Sequence, residues 1–405
     1  MEDQQDCLFS GLKVLDVGSW IAAPVSATIL ADFGADVIKV EMPEVGDAYR
    51  QLASLPLLPQ ADENYTWQMD ARNKRSLSLN LKSEEGMQIL YRLIKTCDVY
   101  ITNHPLPMRR ALKLTYEELK PLNPAMIYAS LTAYGETGPD ADREGFDLVA
   151  YWARSGMMDL VRSDDSQPAQ SLPGMGDHPS AISLYAAIVT ALLKRERSGE
   201  GGQVHTSLLA NGLWSASCIA QAGFAGSDYE SYRVTRAKPV FARTLYEAKD
   251  LRWLQFNMVR TQQEFEHLLH AVGLSSLLED ERFATDQSRY EHAGLLVRLF
   301  QELIAERDSG EWLEIFSAEG INASRVAVIE ELASDEQILA NAMIFPIDDP
   351  QLNQSYVIDH PVKVDSIAKA EPRRAPELGE HTEEILDELG YSLDDVKMLR
   401  NNGVI

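Results

Sequence analysis

Asp177 lies in the stretch GMGDHPSAIS (174–183), directly before a long segment with helical periodicity. A carboxylate at the start of a helix is favoured as an N-cap, and Pro179 suits the first helical turn. His178 precedes this proline and is expected to be extended. The same place also suits a carboxylate with a chemical role, because the positive potential at the N-terminus of a helix favours its ionised form. Taken alone, the pattern favours the cap.

Two other stretches have residues that suit nucleotide or phosphate binding. Glu41 ends a predicted strand, where an acidic residue binds a ribose in dinucleotide folds. However, the fingerprint G-x-G-x-x-G is absent, since Gly18 is the only glycine in the first turn. Lys74 and Arg75 in NKRS (73–76) place two cations before a strand, which fits either a phosphate contact or a solvated turn. The pattern alone favours the turn.

His267 and His270 are three residues apart on one predicted helix, with Glu264 and Glu266 nearby. That spacing puts two ligand groups on one helical face, but no third ligand group is evident. An acidic surface helix accounts for the pattern as well, and we predict no metal site. The serine-nucleophile pattern G-x-S-x-G is also absent, which leaves a hydrolase triad of that type without support.

The elements that must position these residues follow a β-α-β pattern. A strand is predicted over 12–19, a helix over 23–34 and a second strand over 35–41, which indicates a parallel, doubly wound sheet. The pattern continues with helices over 83–97 and 115–123, strands over 98–103 and 126–135, and helices over 148–160 and 180–197. The fold class is therefore α/β.

The composition changes after about residue 224. We predict a large domain over 1–224, a smaller α+β domain over 225–327, and a return to the large domain over 328–405. The length of 405 residues is sufficient for two or three separate cores.

The charge balance restricts the partners. There are 62 acidic and 37 basic residues, a net charge of −25. Nucleic acid is an unsuitable partner, because phosphate binding needs concentrated Lys and Arg. The three cysteines are widely spaced, the N-terminus has no apolar signal core, and no apolar run is long enough to span a membrane. We therefore expect a cytoplasmic protein.

Five ordered stretches carry a family resemblance: GLKVLDVGSWIAAPVSATILADFGADVIKVEMP, NKRSLSLNLKSEEG, YASLTAYGETGP with GFD, GDHPSAISLYAAIVTALLKRERSGEGGQVHTSLL, and the tail APELGEHTEEILDELGYSLDDVKMLRNNGVI. In this order they resemble the family III CoA-transferases, the CaiB/BaiF family, which includes formyl-CoA:oxalate and carnitine CoA-transferases. The resemblance runs from about residue 11 to the C-terminus.

The resemblance implies that Asp177 is the nucleophile, a role compatible with capping. It implies a transfer of CoA from an acyl-CoA to a carboxylic acid through mixed anhydrides and an aspartyl-CoA thioester. Coenzyme A is then a substrate, and we expect no tightly bound cofactor. The alternatives are an α-methylacyl-CoA racemase of the same fold and a catalytically silent subunit of a heteromeric transferase, and the presence of Asp177 disfavours the second.

The resemblance also places residues around CoA. It implies contacts of Lys74 and Arg75 with the phosphates or the adenine, of Asn103 with the CoA channel, and of Ala22 and Ala23 with CoA through their backbone. Tyr134 matches an aromatic residue of the active-site strand. The usual CoA-binding arginine falls at Ala111, so Arg109 and Arg110 beside it are the candidates.

Other positions depart from the family pattern. Ser19 and Ile21 stand where some members have His and Gln. The glycine-rich flap of the formyl-CoA enzyme is replaced by RAKPVFARTLYEAKD, which argues against an oxalate-type acceptor. Phe146 in GFD replaces the histidine with which the racemases of this fold move a proton, and we interpret it as a core contact.

For the fold, the resemblance implies a large Rossmann-like domain built from both ends of the chain and a small inserted domain. It further implies ring-shaped protomers that interlink as a homodimer.

Overall fold

The computed structural model describes residues 7–56, 58–163, 166–256, 259–347, 349–350 and 352–405. The chain divides into two compact units. One contains the described residues up to Gln221 together with Gln337–Ile405, and the other is Ala222–Glu336. The segment predicted as a small domain, 225–327, lies within the second unit.

The first unit is built on a six-stranded parallel sheet, which confirms the predicted α/β class. Its strands in chain order are β1 Lys13–Asp16, β2 Asp36–Glu41, β3 Arg75–Ser78, β4 Val99–Thr102, β5 Ile127–Thr132 and β6 Gly202–Ser207. The spatial order is β3-β2-β1-β4-β5-β6. From β1 the chain thus adds β2 and β3 toward one edge of the sheet, and from β4 it adds β5 and β6 toward the opposite edge. In open α/β sheets, such a reversal creates a crevice at the carboxyl ends of the two central strands.

Helices cover both faces of this sheet. Those of the first unit before its interruption are α1 Ala22–Asp32, α2 Tyr65–Ala71, α3 Glu84–Ile94, α4 Leu106–Ala111, α5 Tyr116–Leu119, α6 Met157–Leu160, α7 Asp177–Ser198 and α8 Leu208–Ser215. One hydrophobic core contains side chains of α1 and α7, and a second contains side chains of α3. The central strands β4 and β5 are fully buried. Burial on both faces explains why β4 and the first half of β5 begin as apolar runs without polar alternation.

The second unit has its own core. After α9 Ser217–Phe224, it contains α10 Tyr229–Arg236, β7 Tyr246–Glu247, β8 Trp253–Phe256, α11 Gln262–Ala271, α12 Asp286–Glu291, α13 Ala293–Ile304, α14 Ser309–Ala318 and β9 Ala323–Arg325. The three strands pair antiparallel in the order β7-β8-β9. Aromatic rings dominate the core. Phe316 lies edge-on to Phe256, with 4.8 Å between ring centroids, and it is stacked on Trp312, with 5.7 Å between centroids.

The last part of the chain returns to the first unit after α15 Glu336–Ala340. It forms the antiparallel pair β10 Ile344–Pro346 and β11 Tyr356–Ile358, then α16 Thr382–Glu388 and α17 Leu393–Asn401. Both final helices contribute to the core that contains α3.

This return segment also completes the outer edge of the sheet. β3 is an edge strand, and its free backbone groups bond to the start of α16. Ser76 N–H donates to His381 Nδ1 at 3.2 Å, and Ser78 N–H donates to Thr382 Oγ1 at 3.0 Å. The backbone N–H of His381 donates to Ser76 O at 3.0 Å.

One predicted helix is divided in the structure, and one strand was missed. The helix predicted over 148–160 is a π-helical turn, Leu148–Ala153, followed by the short α6. Gly156 lies between them with φ +87°, a left-handed conformation that ends the first turn. β6 was not predicted, because GQVHTS has neither an apolar run nor flanking turn residues other than glycine.

Among the described residues, no helix combines the length and the apolar character needed to cross a membrane. The structure contains one chain, so the interlinked dimer stays a prediction.

The C-terminal helices give a direct test of this packing. Replacing Leu386, which is fully buried, by Ala removes core contacts between α16 and the sheet. We expect the free energy of unfolding to fall by about 2–5 kcal/mol. Leu393→Ala is the matched control because this side chain is 73% exposed, and its cost should be below about 0.5 kcal/mol. Urea unfolding followed by tryptophan fluorescence measures both, and equal costs would contradict the packing described.

Candidate active site

The loops after β1 and β4 meet at the reversal of strand order. Ser19 N–H donates to Asn103 Oδ1 at 2.8 Å, and Asn103 Nδ2 donates to Ser19 O at 2.6 Å. The side chain of Asn103 thus bonds both the N–H and the carbonyl of Ser19, as a neighbouring backbone segment would. Asn103, predicted to line the CoA channel, holds the shape of that turn.

Trp20 occupies the same turn in an unusual conformation. Its φ is +65°, a left-handed value that is uncommon for a bulky residue. Its N–H donates to Asp47 Oδ1 at 3.0 Å, and Ser19 Oγ donates to the same oxygen at 2.8 Å. Strained residues persist where surrounding bonds fix them, and they concentrate at functional sites. Asp47 is the residue that fixes this one.

A buried ionic cluster lies beneath the turn. Lys39 Nζ is 2.7 Å from Asp47 Oδ2, and it donates to Gly18 O at 2.7 Å. Lys74 Nζ donates to Asp16 Oδ2 at 2.9 Å, while Lys39 lies 3.7 Å from the other oxygen of Asp16. Burial raises the pKa of Asp16, but the two ammonium groups lower it by more. Two carboxylates and two ammonium groups therefore neutralise one another without solvent.

Asp177 follows a glycine that no other residue can replace without displacing its neighbours. A Cβ on Gly176 would lie 2.7 Å from a ring carbon of Tyr151. The N–H of Gly176 donates to Asp147 Oδ2 at 3.0 Å. The packing of this glycine on the π-helical turn fixes the direction in which α7 begins.

The prediction that Asp177 caps α7 is wrong. The N-cap position is Gly176, and Asp177 is the first helical residue, without a side-chain capping bond. The helix begins three residues earlier than predicted, so the carboxylate belongs to the first turn and does not cap it. The N–H of His178 is also not free, since it donates to Gly174 O at 3.0 Å. Among the described residues, no hydrogen bond to the Asp177 carboxylate is present.

Asp177 instead lines a cavity of about 260 Å³ at the reversal of strand order. The cavity brings together three of the predicted residues: Asp177, Ala22 and Asn103. It also contains residues that were not predicted from the sequence, among them Trp20, His104, Leu106, Leu131, Arg143 and Leu208. Trp20 was the one with a visible signal, since it stands in the first turn beside Ser19.

The prediction that Phe146 is a core contact is wrong. Phe146 is 58% exposed, lines the same cavity as Asp177, and packs edge-on against Trp20 with 5.2 Å between ring centroids. The position that carries a histidine in the racemases thus does face the site. Here it presents an aromatic ring that holds no proton.

The charge of Asp177 is set by its neighbours. Burial, the carboxylate of Asp147 and that of Asp70 raise its pKa, whereas His178 lowers it, and the result is a pKa of about 7. A titratable group with a strongly shifted pKa in a cleft is a candidate for a functional residue. Neither Asp70 nor Asp147 was predicted as a site residue.

Other titratable side chains share the cavity. Burial and the nearby charge of Lys39 lower the pKa of His104 to about 4, so that its imidazole is neutral. Arg143 lies 3.9 Å from Asp140 and over the ring of Tyr134 at 5.4 Å. Tyr134 thus stands beside the cavity and orients one of the residues that line it.

Several residues predicted to bind CoA are buried away from the cavity lining. Ala23 has no exposed surface, and Lys74 is bonded to Asp16. Arg109 is 1% exposed and binds both oxygens of Glu136 at 3.0 Å. A contact of Lys74 with a phosphate therefore needs a conformation other than this one.

The other two predicted arginines also pair with carboxylates, Arg110 at the surface and Arg75 in a mostly buried position. Arg110 is 57% exposed and pairs with Asp142 at 3.0 Å. Arg75 pairs with Asp36 at 2.7 Å and with two glutamates of α16. Five residues predicted to contact CoA are thus not part of the cavity lining. They are Ala23, Lys74, Arg75, Arg109 and Arg110.

Glu41 and the two histidines of α11 are engaged in hydrogen bonds within the chain. Glu41 accepts two hydrogen bonds of 2.8 Å from Arg50, which occupy the carboxylate that would bind a ribose. His267 bonds to the backbone of Glu319, and His270 bonds to Ser275, so their rings are engaged separately.

One further group, Asp32, Asp359 and His360, has atoms close enough to suit a metal. Cations of the chain already bind both carboxylates. Arg72 bonds Asp32 at 2.6 Å, and Lys369 bonds Asp359 at 2.7 Å. The group is an ion-pair network.

Comparison with known proteins assigns the family. The model of "CoA-transferase family III" matches residues 9–382. The chain therefore belongs to the family III CoA-transferases, and it is a CoA-transferase.

Two relatives and one solved structure show the range of this likeness. The chain is 30% identical to the (R)-2-hydroxy-4-methylpentanoate CoA-transferase of Clostridioides difficile, over 98% of this chain and 99% of the relative. It is 29% identical to the succinyl-CoA:glutarate CoA-transferase of Mus musculus, over 99% and 92%. A CaiB/BaiF family protein from Brucella suis has a TM-score of 0.83 and 28% identity, over 95% of this chain and all of that one.

The buried cluster beneath the turn predicts a structural role for Lys74. Lys74→Met leaves Asp16 with only the more distant ammonium of Lys39. We expect a loss of about 3–5 kcal/mol in the free energy of unfolding, because a buried charge loses its partner. Arg110→Met, which breaks an exposed pair, is the control and should change stability little. Urea unfolding measures both. Unchanged stability of Lys74→Met with weaker CoA binding would instead show that Lys74 contacts the ligand.

Proposed function

We propose that this enzyme transfers CoA from an acyl-CoA donor to a free carboxylic acid with Asp177 as the covalent nucleophile. The observation that carries this proposal is the position of Asp177. It lines the cavity at the reversal of strand order in a family III CoA-transferase, and its carboxylate makes no hydrogen bond to a described residue. Its oxygen lone pairs are therefore available for attack.

The first half of the reaction moves CoA onto the protein. An oxygen of Asp177 attacks the thioester carbonyl of the donor, the carbon–sulfur bond breaks, and CoA leaves as a thiolate. The product is a mixed anhydride of Asp177 and the donor acid. The thiolate then attacks the aspartyl carbonyl, which releases the donor acid and leaves an aspartyl-CoA thioester.

The second half repeats these steps in reverse with the acceptor. The acceptor carboxylate attacks the aspartyl carbonyl and displaces the thiolate, forming a second anhydride. The thiolate attacks the acceptor carbonyl, and the new acyl-CoA leaves with the Asp177 carboxylate restored. Serine or cysteine would form an ester or thioester in place of the anhydride, and neither has the anhydride's reactivity toward a thiolate.

The surroundings of Asp177 suit this chemistry. A carboxylate with few hydrogen bonds and a pKa of about 7 is a stronger nucleophile than a solvated one. Trp20, Phe146 and Leu208 give the cavity apolar walls beside it. We infer that Ala22 and Asn103 contact the thioester end of CoA, and that Lys74 and Arg109 act beneath the surface by holding the loops.

Replacing the nucleophile tests the proposal directly. Asp177→Asn keeps the shape of the side chain but cannot form an anhydride, so CoA transfer should be lost. The wild-type enzyme, incubated with an acyl-CoA and then hydroxylamine, should gain a hydroxamate at Asp177 that peptide mass spectrometry locates. Asp142→Asn, which alters an exposed carboxylate paired with Arg110, is the control and should keep both transfer and labelling. Normal turnover by Asp177→Asn would refute the covalent mechanism.

Phe146 provides a second test, against racemisation. Exchange of the hydrogen next to the thioester needs a base on each face of the carbon, and Phe146 supplies none. In heavy water we expect no deuterium uptake at that carbon of a 2-methylacyl-CoA, together with measurable transfer to a panel of carboxylic acids. Mass spectrometry follows both reactions. Uptake without transfer to any acid of the panel would favour the racemase.

A further inference from the structure

A chain of hydrogen bonds runs from a buried tyrosine to the residue that follows the nucleophile. The hydroxyl of Tyr49 donates to Asp70 Oδ2, and His178 Nε2 is 3.1 Å from Asp70 Oδ1. His178 Nδ1 is 2.9 Å from Gly174 O. Tyr49 and Asp70 are 1% and 3% exposed, so this end of the chain is shielded from water. None of these residues acts in the transfer steps above.

The partners of the His178 ring define its protonation. A carbonyl oxygen and a carboxylate oxygen only accept hydrogen bonds. Both bonds therefore need a proton on each ring nitrogen, which makes the side chain an imidazolium. Burial lowers the pKa of His178, but the hydrogen bond and the charge of Asp70 raise it by more. The result is a pKa of about 9, above the ordinary value of a histidine.

The backbone before Asp177 is shaped to receive this ring. Gly174 has φ +83°, and a Cβ there would lie 3.0 Å from His178 Cε1 and Nδ1. A side chain at this position would therefore press on the ring and push it away from Asp70. Glycine at position 174 permits both the turn and the close approach of its carbonyl.

The charges that face Asp177 are mostly negative. Asp147, at the start of the π-helical turn, and Asp70 from α2 both raise its pKa, and His178 is the neighbour whose charge lowers it. Arg143, Glu144 and neutral His104 line the same cavity. Without the imidazolium, three carboxylates would lie together in one partly buried place, where like charges oppose ionisation.

We propose that His178 is a positioning residue for CoA transfer: held as an imidazolium by Asp70 and Gly174, it keeps Asp177 ionised beside two other carboxylates. The proposal rests on Asp177 being the nucleophile. Both ring nitrogens are already bonded, so His178 acts on Asp177 through its charge and makes no bond to the substrate. Tyr49 acts through Asp70, which holds the charge on His178 while its own carboxylate opposes the ionisation of Asp177.

The pH dependence of the first covalent step tests this. The rate of labelling of Asp177 by an acyl-CoA, measured in single turnover between pH 5 and 9.5, should rise through about pH 7 in the wild type. In His178→Gln, which can still bond Asp70 but carries no charge, the rise should move up by about one pH unit or more. The rate at pH 6 should fall about tenfold, with little change at pH 9.

A structural role alone predicts something different: a lower rate at every pH with the rise unmoved. Tyr49→Phe is the matched control, since it removes a bond to the same carboxylate without changing the charge on the ring, and its profile should shift less. Superimposable wild-type and His178→Gln profiles would overturn the inference. Asp177→Asn separates this proposal from the proposed function. Loss of labelling in Asp177→Asn supports Asp177 as the nucleophile, whatever the pH profile of His178→Gln shows.

A second readout does not depend on turnover. The chain has 8 histidines, and ¹⁵N-histidine labelling with His178→Gln assigns the signal of interest. At pH 8 the His178 ring should be doubly protonated in the wild type and neutral in Asp70→Asn, because that variant loses the hydrogen bond and the charge of Asp70 that oppose the effect of burial on the His178 pKa. A neutral ring at pH 8 in the wild type would also overturn the inference.

Discussion

The buried charges beneath the first turn are the constraint on which the site depends. Asp16 ends the first strand and meets Lys39 from β2 and Lys74 from the entrance to β3. Lys39 continues to Asp47 and Gly18, so three neighbouring strands are tied to one turn. Removing any one partner leaves a charge without solvent, which is the costly case for buried ion pairs. The turn is held from below, and its upper surface is left for a ligand.

That arrangement explains the strained residue at the surface. Trp20 keeps its left-handed backbone because Asp47 accepts its N–H, and Asp47 is in turn fixed by Lys39. The ring then meets Phe146 from the loop after β5. A second element, the start of α7, brings Asp177 to the same cavity through the close packing of Gly176 on Tyr151. Asp177 and Trp20, which are 157 residues apart in the sequence, thus line the same cavity.

The outline of the fold was predictable because its signals are local. The β1-α1-β2 opening and the buried strands β4 and β5 have apolar runs of the right length, and each was predicted to within a few residues. The helix over 148–160 was predicted as one element because its break depends on Gly156 and on the packing of the following residues. β6 was missed because its partly exposed edge position leaves no apolar run in the sequence.

The site was predictable only in part for a related reason. Asp177 was found through a family resemblance, yet its expected capping bond is absent because the helix starts earlier than its periodicity indicates. Lys74 has the residue type of a phosphate ligand, but its burial against Asp16 depends on the tertiary fold. Asp70 gives no local signal at all, since its partners Tyr49 and His178 are distant in sequence. Contacts between residues so far apart in the sequence leave no local pattern from which they could be predicted.

The bonds between β3 and the start of α16 have a consequence for how the chain is made. Ser76 and His381 are 305 residues apart, so the edge of the sheet is completed only when the end of the chain has been synthesised. At roughly 5–20 residues per second, that edge stays open for about 15–60 s on the ribosome. An open strand edge is a template for pairing with other chains. In the interval between the synthesis of β3 and that of α16, the nascent chain thus exposes a strand edge that the finished protein covers.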